Sequence, residues 1–254
     1  MFSSESWSAD FQTGWAAFES KDYSTAVQEW KPIAQDGNAK AQFLLGAMYY
    51  DGQGVTQDFK EAVYWYKLAA QQKVALAQHA LGAMYERGEG ITRDYNEASE
   101  WYSLAAEQKY VLAQHALGML YEKGLGVDKD HQQAVKWFKL AAEQAYASAQ
   151  NNLGLMYYDG QGVLQDYKEA AKWIELAAER GVPEAQFLLG WMHYKGQGVL
   201  IHYPEAVKWL TRAADQGLAI AQTNLGLMYL NGQGVPQDDK EAVKWLSLAA
   251  EQWD

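Results

Sequence analysis

The sequence repeats every 36 residues, and this period constrains the fold more than any other feature. Self-similarity at a fixed spacing of about 20–50 residues marks a chain built from stacked, near-identical supersecondary units. An Ala-Gln pair falls at Ala41-Gln42, Ala77-Gln78, Ala113-Gln114, Ala149-Gln150, Ala185-Gln186 and Ala221-Gln222. Leu-Gly follows four residues on, from Leu45-Gly46 to Leu225-Gly226, and a G-x-G comes next, from Gly52 and Gly54 to Gly232 and Gly234. Each unit then carries an Ala and a Trp, first Ala62 with Trp65 and last Ala242 with Trp245, and closes on an Ala-Ala pair. These columns hold 18 of the 22 glycines and 6 of the 11 tryptophans. The 254 residues equal seven periods plus two, but the opening unit breaks the frame: Gly14 to Ala26 is 12 residues where Gly46 to Ala62 is 16.

Each unit reads as two helices. Ala41, Leu44, Leu45 and Met48 lie at i, i+3, i+4 and i+7, and Ala62, Trp65, Tyr66 and Ala69 repeat that spacing, so both stretches carry one apolar helical face. Glycine inside the first helix costs about 1 kcal/mol against Ala. Accepting that cost at every Leu-Gly implies that another helix crosses closely there, with the Trp column filling the wider space between units. Asp58 with Glu61 predicts a capping box at the start of the second helix. Asp94, Asp130, Asp166 and Asp238 repeat it, whereas the fifth unit has His202 at the cap and Pro204 just inside. G-Q-G-V resembles part of a phosphate loop, but it recurs between helices with no strand before it and no Lys-Ser/Thr after it. Glycines giving positive φ in a helix–helix turn explain it.

Composition removes function classes. The net charge is −11 and no basic run is present, which disfavours nucleic-acid phosphates as a target. No run approaches the ~18 apolar residues of a membrane helix. The absence of Cys excludes disulfides, thiolate metal sites and a thiol nucleophile. There is no H-E-x-x-H and no G-x-S-x-G, so catalysis is not expected. His79 and His115 share a column in adjacent units, but Glu86 and Glu122 lie seven residues along each helix. They read as polar lining, and the sequence calls for no metal and no cofactor.

The pattern A-Q-x-x-L-G-x-M-Y-x-x-G-x-G-V-x-x-D-x-x-x-A-x-x-W-x-x-x-A-A resembles the Sel-one-like repeat (SLR), a relative of the tetratricopeptide repeat. Departures are few: Leu120 for Met, His193 for Tyr and His202 for Asp. On this reading residues 1–10 are a tail and 11–38 a tetratricopeptide-like opening pair. Six units follow at 39–74, 75–110, 111–146, 147–182, 183–218 and 219–254. The resemblance implies an all-α fold, an α/α right-handed superhelix (solenoid) of about seven helix-turn-helix repeats, with first helices lining a concave groove. It implies an adaptor that binds a peptide or protein partner. Two alternatives stay open: a β-lactam-interacting hydrolase on the same fold, and a structural component of a bacterial cell-envelope assembly. The β-lactam-related members carry cysteine pairs that this chain lacks.

In a solenoid, positions needed for stacking must recur and the others are free to carry specificity. The variable columns of the first helix are those of Lys40, Phe43, Leu44, Ala47, Tyr50 and Asp51. Read unit by unit, they give Phe43 and Tyr50, then His79 and Glu86, then His115 and Glu122, then Asn151, Asn152 and Tyr158. Phe187, Trp191 and Tyr194 follow in the fifth unit, and Asn224 in the sixth. Asn152 and Asn224 stand where the family often carries an Asn that bonds a peptide backbone. Phe187, Trp191 and Tyr194 fall at 0, 4 and 7 on one helix face, which suits hot-spot aromatics and equally suits packing between units. Asp51, Arg87, Lys123, Asp159, Lys195 and Asn231 mix charges along the groove edge, favouring a polar partner of mixed charge.

The ends carry two expectations. Met1 to Ser8 has no basic and apolar regions of a signal peptide. The Asp10-Phe11-Gln12-Thr13-Gly14 opening resembles that of exported members, which favours a periplasmic protein with its signal removed over a cytoplasmic one. At the other end Trp253 falls in the turn column with no polar capping helix after it. The last helix is therefore expected to expose Trp245 and Leu248, which implies either a truncated natural chain or end-to-end self-association.

Overall fold

The computed structural model describes residues 9–252. Among them are fourteen α-helices and no strand. The chain divides into two compact units, residues up to 129 and residues from 130 on. The first unit holds α1 (Ala9–Glu19), α2 (Tyr23–Gln35), α3 (Ala39–Asp51), α4 (Phe59–Gln71), α5 (Ala75–Arg87), α6 (Tyr95–Glu107) and α7 (Val111–Lys123). The second holds α8 (His131–Glu143), α9 (Ala147–Asp159), α10 (Tyr167–Glu179), α11 (Pro183–Lys195), α12 (Tyr203–Asp215), α13 (Ala219–Asn231) and α14 (Asp239–Ala250). Within each unit every helix packs on the next in sequence. α1 begins at Ala9, inside the stretch read as a tail. Residues 1–8 and Trp253 lie outside the described residues.

Glycines of the Leu-Gly pairs mark close helix crossings within a repeat. A Cβ built on Gly46 would stand 2.5 Å from the Tyr66 ring, on Gly82 2.8 Å from Tyr102, and on Gly154 2.6 Å from Ile174. The crossing helix is thus the second helix of the same repeat, through the residue 20 positions on. The opening pair does the same over a shorter turn. Gly14 faces Trp30 at 2.4 Å, so Trp30 belongs to the Tyr66 column and is completely buried.

The Trp column packs in a direction the period did not reveal. Trp65 joins the core made by Ala26, Val27, Trp30 and Ala34 of α2 and by Ala41, Leu45 and Met48 of α3. Trp209 and Trp245 likewise point back onto the preceding second helix and their own first helix. Trp245 is therefore buried, at 7% exposure, not exposed as the sequence suggested. The residue that α14 leaves open is Val243, 63% exposed, whereas Val207 in the same column is buried. Leu248 is half-exposed, but so are Leu104, Leu140 and Leu176 in its column, so this exposure is not special to the last helix.

The caps form as the spacing predicts, with one change. Asp58 accepts from the N–H groups of Lys60 and Glu61, and Asp94, Asp130, Asp166 and Asp238 repeat the pattern. His202 caps through Nδ1, which accepts from the Glu205 N–H at 3.1 Å. The returning arm of the box is not used, because the Asp58 N–H donates to the Tyr49 carbonyl instead. The acidic residue three positions on is then free to accept from the Trp indole: Trp101 Nε1 donates to Glu97 at 3.2 Å, and Trp173 Nε1 to Glu169 at 3.1 Å.

The two glycines of G-x-G have separate duties. Gly52 ends α3 at φ 70° as its left-handed C-cap. Gly54, also at positive φ, lies so close to the first residue of α2 that a Cβ would meet the Tyr23 carbonyl. Gly162 and Gly198 approach His131 and Tyr167 in the same way. A second set of links joins neighbouring repeats through glutamine. The buried Gln42, Gln78, Gln186 and Gln222 each donate to a carbonyl eight residues back and accept from a Gln 30 residues on, at 2.7–2.9 Å. Gln150 donates to the Ala142 carbonyl at 3.1 Å. At the partner position stands Arg180, and the buried Gln150 Oε1 has no hydrogen-bond partner.

Candidate functional site

Two equivalent clefts open between the first helices of successive repeats, one in each unit. The cleft between α3 and α5 has a volume of ≈ 200 Å³ and is lined by Tyr50, Tyr66, His79, Ala80, Ala83, Met84 and Arg87. The cleft between α11 and α13, ≈ 210 Å³, is lined by Trp191, Tyr194, Lys195, Leu210, Asn224, Leu227, Met228, Asn231 and Gln233. Tyr194 stands 144 residues, or four periods, after Tyr50, and the same step takes Met84 to Met228 and Arg87 to Asn231. One geometric slot therefore recurs with different chemistry.

In the first unit the slot is polar and internally paired. The Tyr50 hydroxyl donates to Glu89 at 3.0 Å and accepts from Arg87 at 3.0 Å, while Arg87 also pairs with Glu89 at 3.5 Å. Burial and the Glu89 carboxylate together raise the Tyr50 pKa, so it stays a neutral donor. His79 lies against Tyr102 and Tyr110, with ring centroids 5.4 and 5.3 Å away. Burial, and secondarily the charge of Arg87, lower its pKa to about 4, so the imidazole is neutral at pH 7. His115 is pushed to about 4 by burial as well. Glu86, expected in the groove, accepts from the Tyr102 hydroxyl at 2.7 Å, and burial with this bond raises the Tyr102 pKa. Phe43 rests on Tyr66 at 5.8 Å, and Glu122 is half-buried on α7.

In the second unit the slot is aromatic. Trp191 and Tyr194 stack, their centroids 5.6 Å apart and planes 21° from parallel. Lys195 Nζ sits 4.7 Å from the Trp191 ring centre and 5.2 Å from that of Tyr194, within cation–π range. The Tyr194 hydroxyl donates to Gln233 at 3.4 Å, and Tyr158 makes the equivalent bond to Gln197 at 2.8 Å. Asn224 Nδ2 donates to the Ile220 carbonyl of its own helix at 2.7 Å. Phe187 and Tyr194 pack on the core around α12 and α13, Trp191 on that around α10 and α11. Packing thus accounts for part of this stripe, and each of the three rings stays partly exposed. Asn151 is buried, with Oδ1 lacking a partner, and Asn152 is half-buried on α9.

The structure therefore gathers Tyr50 with His79, and Trp191 and Tyr194 with Asn224. It does not bring Phe43, Glu86, His115, Glu122, Asn151, Asn152, Tyr158 or Phe187 into either cleft lining. The sequence reading missed the floors, Tyr66, Leu210 and Met228, which belong to stacking columns. It also missed the loop acceptors Glu89, Gln197 and Gln233. A signal for these exists: Tyr50, Tyr158 and Tyr194 each have Glu or Gln 39 residues on, at the middle of a G-x-G. Among the described residues no group of three His, Asp or Glu side chains is placed to hold a metal ion, and no helix is long and apolar enough to cross a membrane.

A stack of helix pairs with this column pattern defines a class of repeat protein, and comparison with known families agrees. The Sel1 repeat model matches residues 39–74, 75–110, 111–146, 147–182, 183–218 and 219–252. The chain belongs to the Sel1 repeat family. It is similar to a protective antigen of uropathogenic Escherichia coli that displays an SLR fold, with 36% identity and a TM-score of 0.93; the match covers 97% of this chain and 54% of that one. The chain thus spans about half the length of this relative. It is also similar to a Sel1 repeat protein from Oxalobacter formigenes, with 32% identity, a TM-score of 0.83, and coverage of 95% of this chain and 97% of the other. No match was found among curated proteins. The fold is thus the all-α repeat solenoid of the SLR proteins, which are in general protein-interaction scaffolds.

Proposed function

We propose that this protein is a non-enzymatic adaptor that holds a peptide or protein segment against the first-helix faces of its repeats. The observation that carries the reading is the recurrence of one slot between successive first helices, lined mostly by columns that vary while the stacking columns do not. Phe43, Tyr50, His79, Glu86, His115, Glu122, Asn151, Asn152, Tyr158, Phe187, Trp191, Tyr194 and Asn224 are the residues assigned to that face, with Trp191 and Tyr194 as anchors. A rigid, partly buried aromatic that is already packed on a core loses little entropy on binding, which is the property of hot-spot residues.

The test is affinity capture from a bacterial lysate by the wild-type chain and by Trp191→Ala combined with Phe187→Ala, each checked for native helicity. The partner retained by the wild type should bind the double variant at least about 30-fold more weakly, the loss of a single hot spot of roughly 2 kcal/mol. Equal affinity in a folded variant refutes the assignment.

A further inference from the structure

We infer that the cleft between α11 and α13 is a subsite for a carboxylate carried next to an apolar side chain. This rests on the peptide-binding reading above and adds to it the chemistry of what enters. The cleft holds one charged lining residue, Lys195, in a chain whose net charge is −11. The equivalent slot between α3 and α5 also has one cation in its lining, Arg87, but there Glu89 pairs with it at 3.5 Å. Four repeats on, the residue in the Glu89 column is Gln233, which accepts from Tyr194 and brings no charge. Among the described residues no carboxylate lies within 4.0 Å of the Lys195 ammonium. The two slots share a geometry, but Arg87 and Glu89 of the first are Asn231 and Gln233 in the second, whose cation Lys195 stands instead in the column of Asp51 and has no anion of its own.

The ammonium is also placed. It lies over two stacked rings, at 4.7 and 5.2 Å from their centres, which limits its rotamers and holds it beside the cleft. Leu227, Met228 and Trp191 supply apolar lining. A volume of ≈ 210 Å³ admits one large side chain and little more. The complementary group is a single apolar side chain with a negative oxygen next to it. A charge-assisted hydrogen bond from an ammonium is about twice as strong as a neutral one. Because Lys195 already has its rings in contact, little ordering remains to be done on binding. A free C-terminus after Leu or Phe and an Asp or Glu beside such a residue present the same chemistry.

Fluorescence anisotropy on the full chain separates these sources. The probes are three fluorescein-labelled hexapeptides on a Gly-Ser spacer: one ending in Phe with a free carboxylate, the same peptide as its C-terminal amide, and an amide with Glu before the Phe. At low salt the acid should bind about tenfold more tightly than the amide, and the Glu peptide shows whether a side-chain carboxylate serves as well. Lys195→Met should abolish the preference of acid over amide; Trp191→Ala should weaken all three. Salt should erode the preference but not the amide binding. Equal binding of all three peptides, sensitive to Trp191→Ala, overturns the carboxylate assignment and leaves the groove reading in place. A preference that survives Lys195→Met also overturns it. Failure of every peptide to bind overturns both readings.

Discussion

Replacing Arg180 by Gln should stabilise the protein. Gln42, Gln78, Gln186 and Gln222 are all satisfied at both ends of the amide, whereas Gln150 Oε1 is buried without a donor, Arg180 at the partner position donating to the Leu176 carbonyl instead. Leaving a buried acceptor unsatisfied costs about 1–3 kcal/mol, and making the bond contributes about 1 kcal/mol net. The substitution removes the bond from Arg180 to the Leu176 carbonyl at 3.0 Å, which is exposed. In two of the four intact rungs the Gln at this position also reaches its own i−4 carbonyl, Gln108 to Leu104 at 3.3 Å and Gln216 to Arg212 at 3.5 Å, so that loss is partly replaced. The expected gain is therefore about 1 kcal/mol, read as a higher urea midpoint at constant slope, followed by circular dichroism at 222 nm. The reverse change, Gln216→Arg, orphans Gln186 and should lower the midpoint by at least as much. If Arg180→Gln leaves the midpoint where it was and Gln216→Arg is also neutral, the glutamine rungs do not stabilise the stack and the reasoning fails.

Two further outcomes follow from the backbone and the buried histidines. Lys73, Lys109 and Ala145 sit at φ 63–64°, in turns where Gly37, Gly181 and Gly217 stand in other repeats. The left-handed strain relieved by Gly exceeds its entropic cost, so each change to Gly should add about 0.5–1 kcal/mol, and thermal melts of the triple variant should rise; an unchanged or lower melting temperature counts against it. His79 and His115 have folded pKa values near 4 against 6.5 unfolded, so the unfolded chain binds more protons between those values and stability falls with pH across that window. At pH 5 the loss is about 2 kcal/mol per histidine. The stability difference between pH 7.5 and 5 should shrink in His79→Phe with His115→Phe, and an identical pH dependence in the double variant contradicts the mechanism.

Much of the fold was legible because stacking forces its own residues to recur. Gly46 must stay small beneath Tyr66, Asp58 must cap, and Gly52 must turn, so the period displays the two glycines six times and the aspartate five. A period gives a column but not the direction in which it faces. That is why Trp245 was expected to be exposed, although it turns back onto Leu225 and Met228. The candidate site was half legible. Tyr50, His79, Trp191, Tyr194 and Asn224 stand in variable columns and do line clefts, yet the floors come from Leu210 and Met228, whose columns serve packing. Glu86 stands in a groove column but is taken by Tyr102, 16 residues on in the same repeat. Which side chains a hydrogen bond will occupy is a matter of reach and rotamer, and spacing along one helix does not contain it.

The glutamine rungs at 30 residues, the tyrosine links at 39 and the glycine approaches at 31 share one property: each joins a repeat only to its neighbour. Removing 36 consecutive residues from inside either unit leaves every offset intact, and so does duplicating them, whereas a one-residue insertion inside a repeat throws all three out of step. Chain length is then free to drift in whole periods while length within a period is not. Contact order stays low however many repeats are added. Such a chain can lengthen or shorten by recombination alone, with no new interaction to be invented at the join.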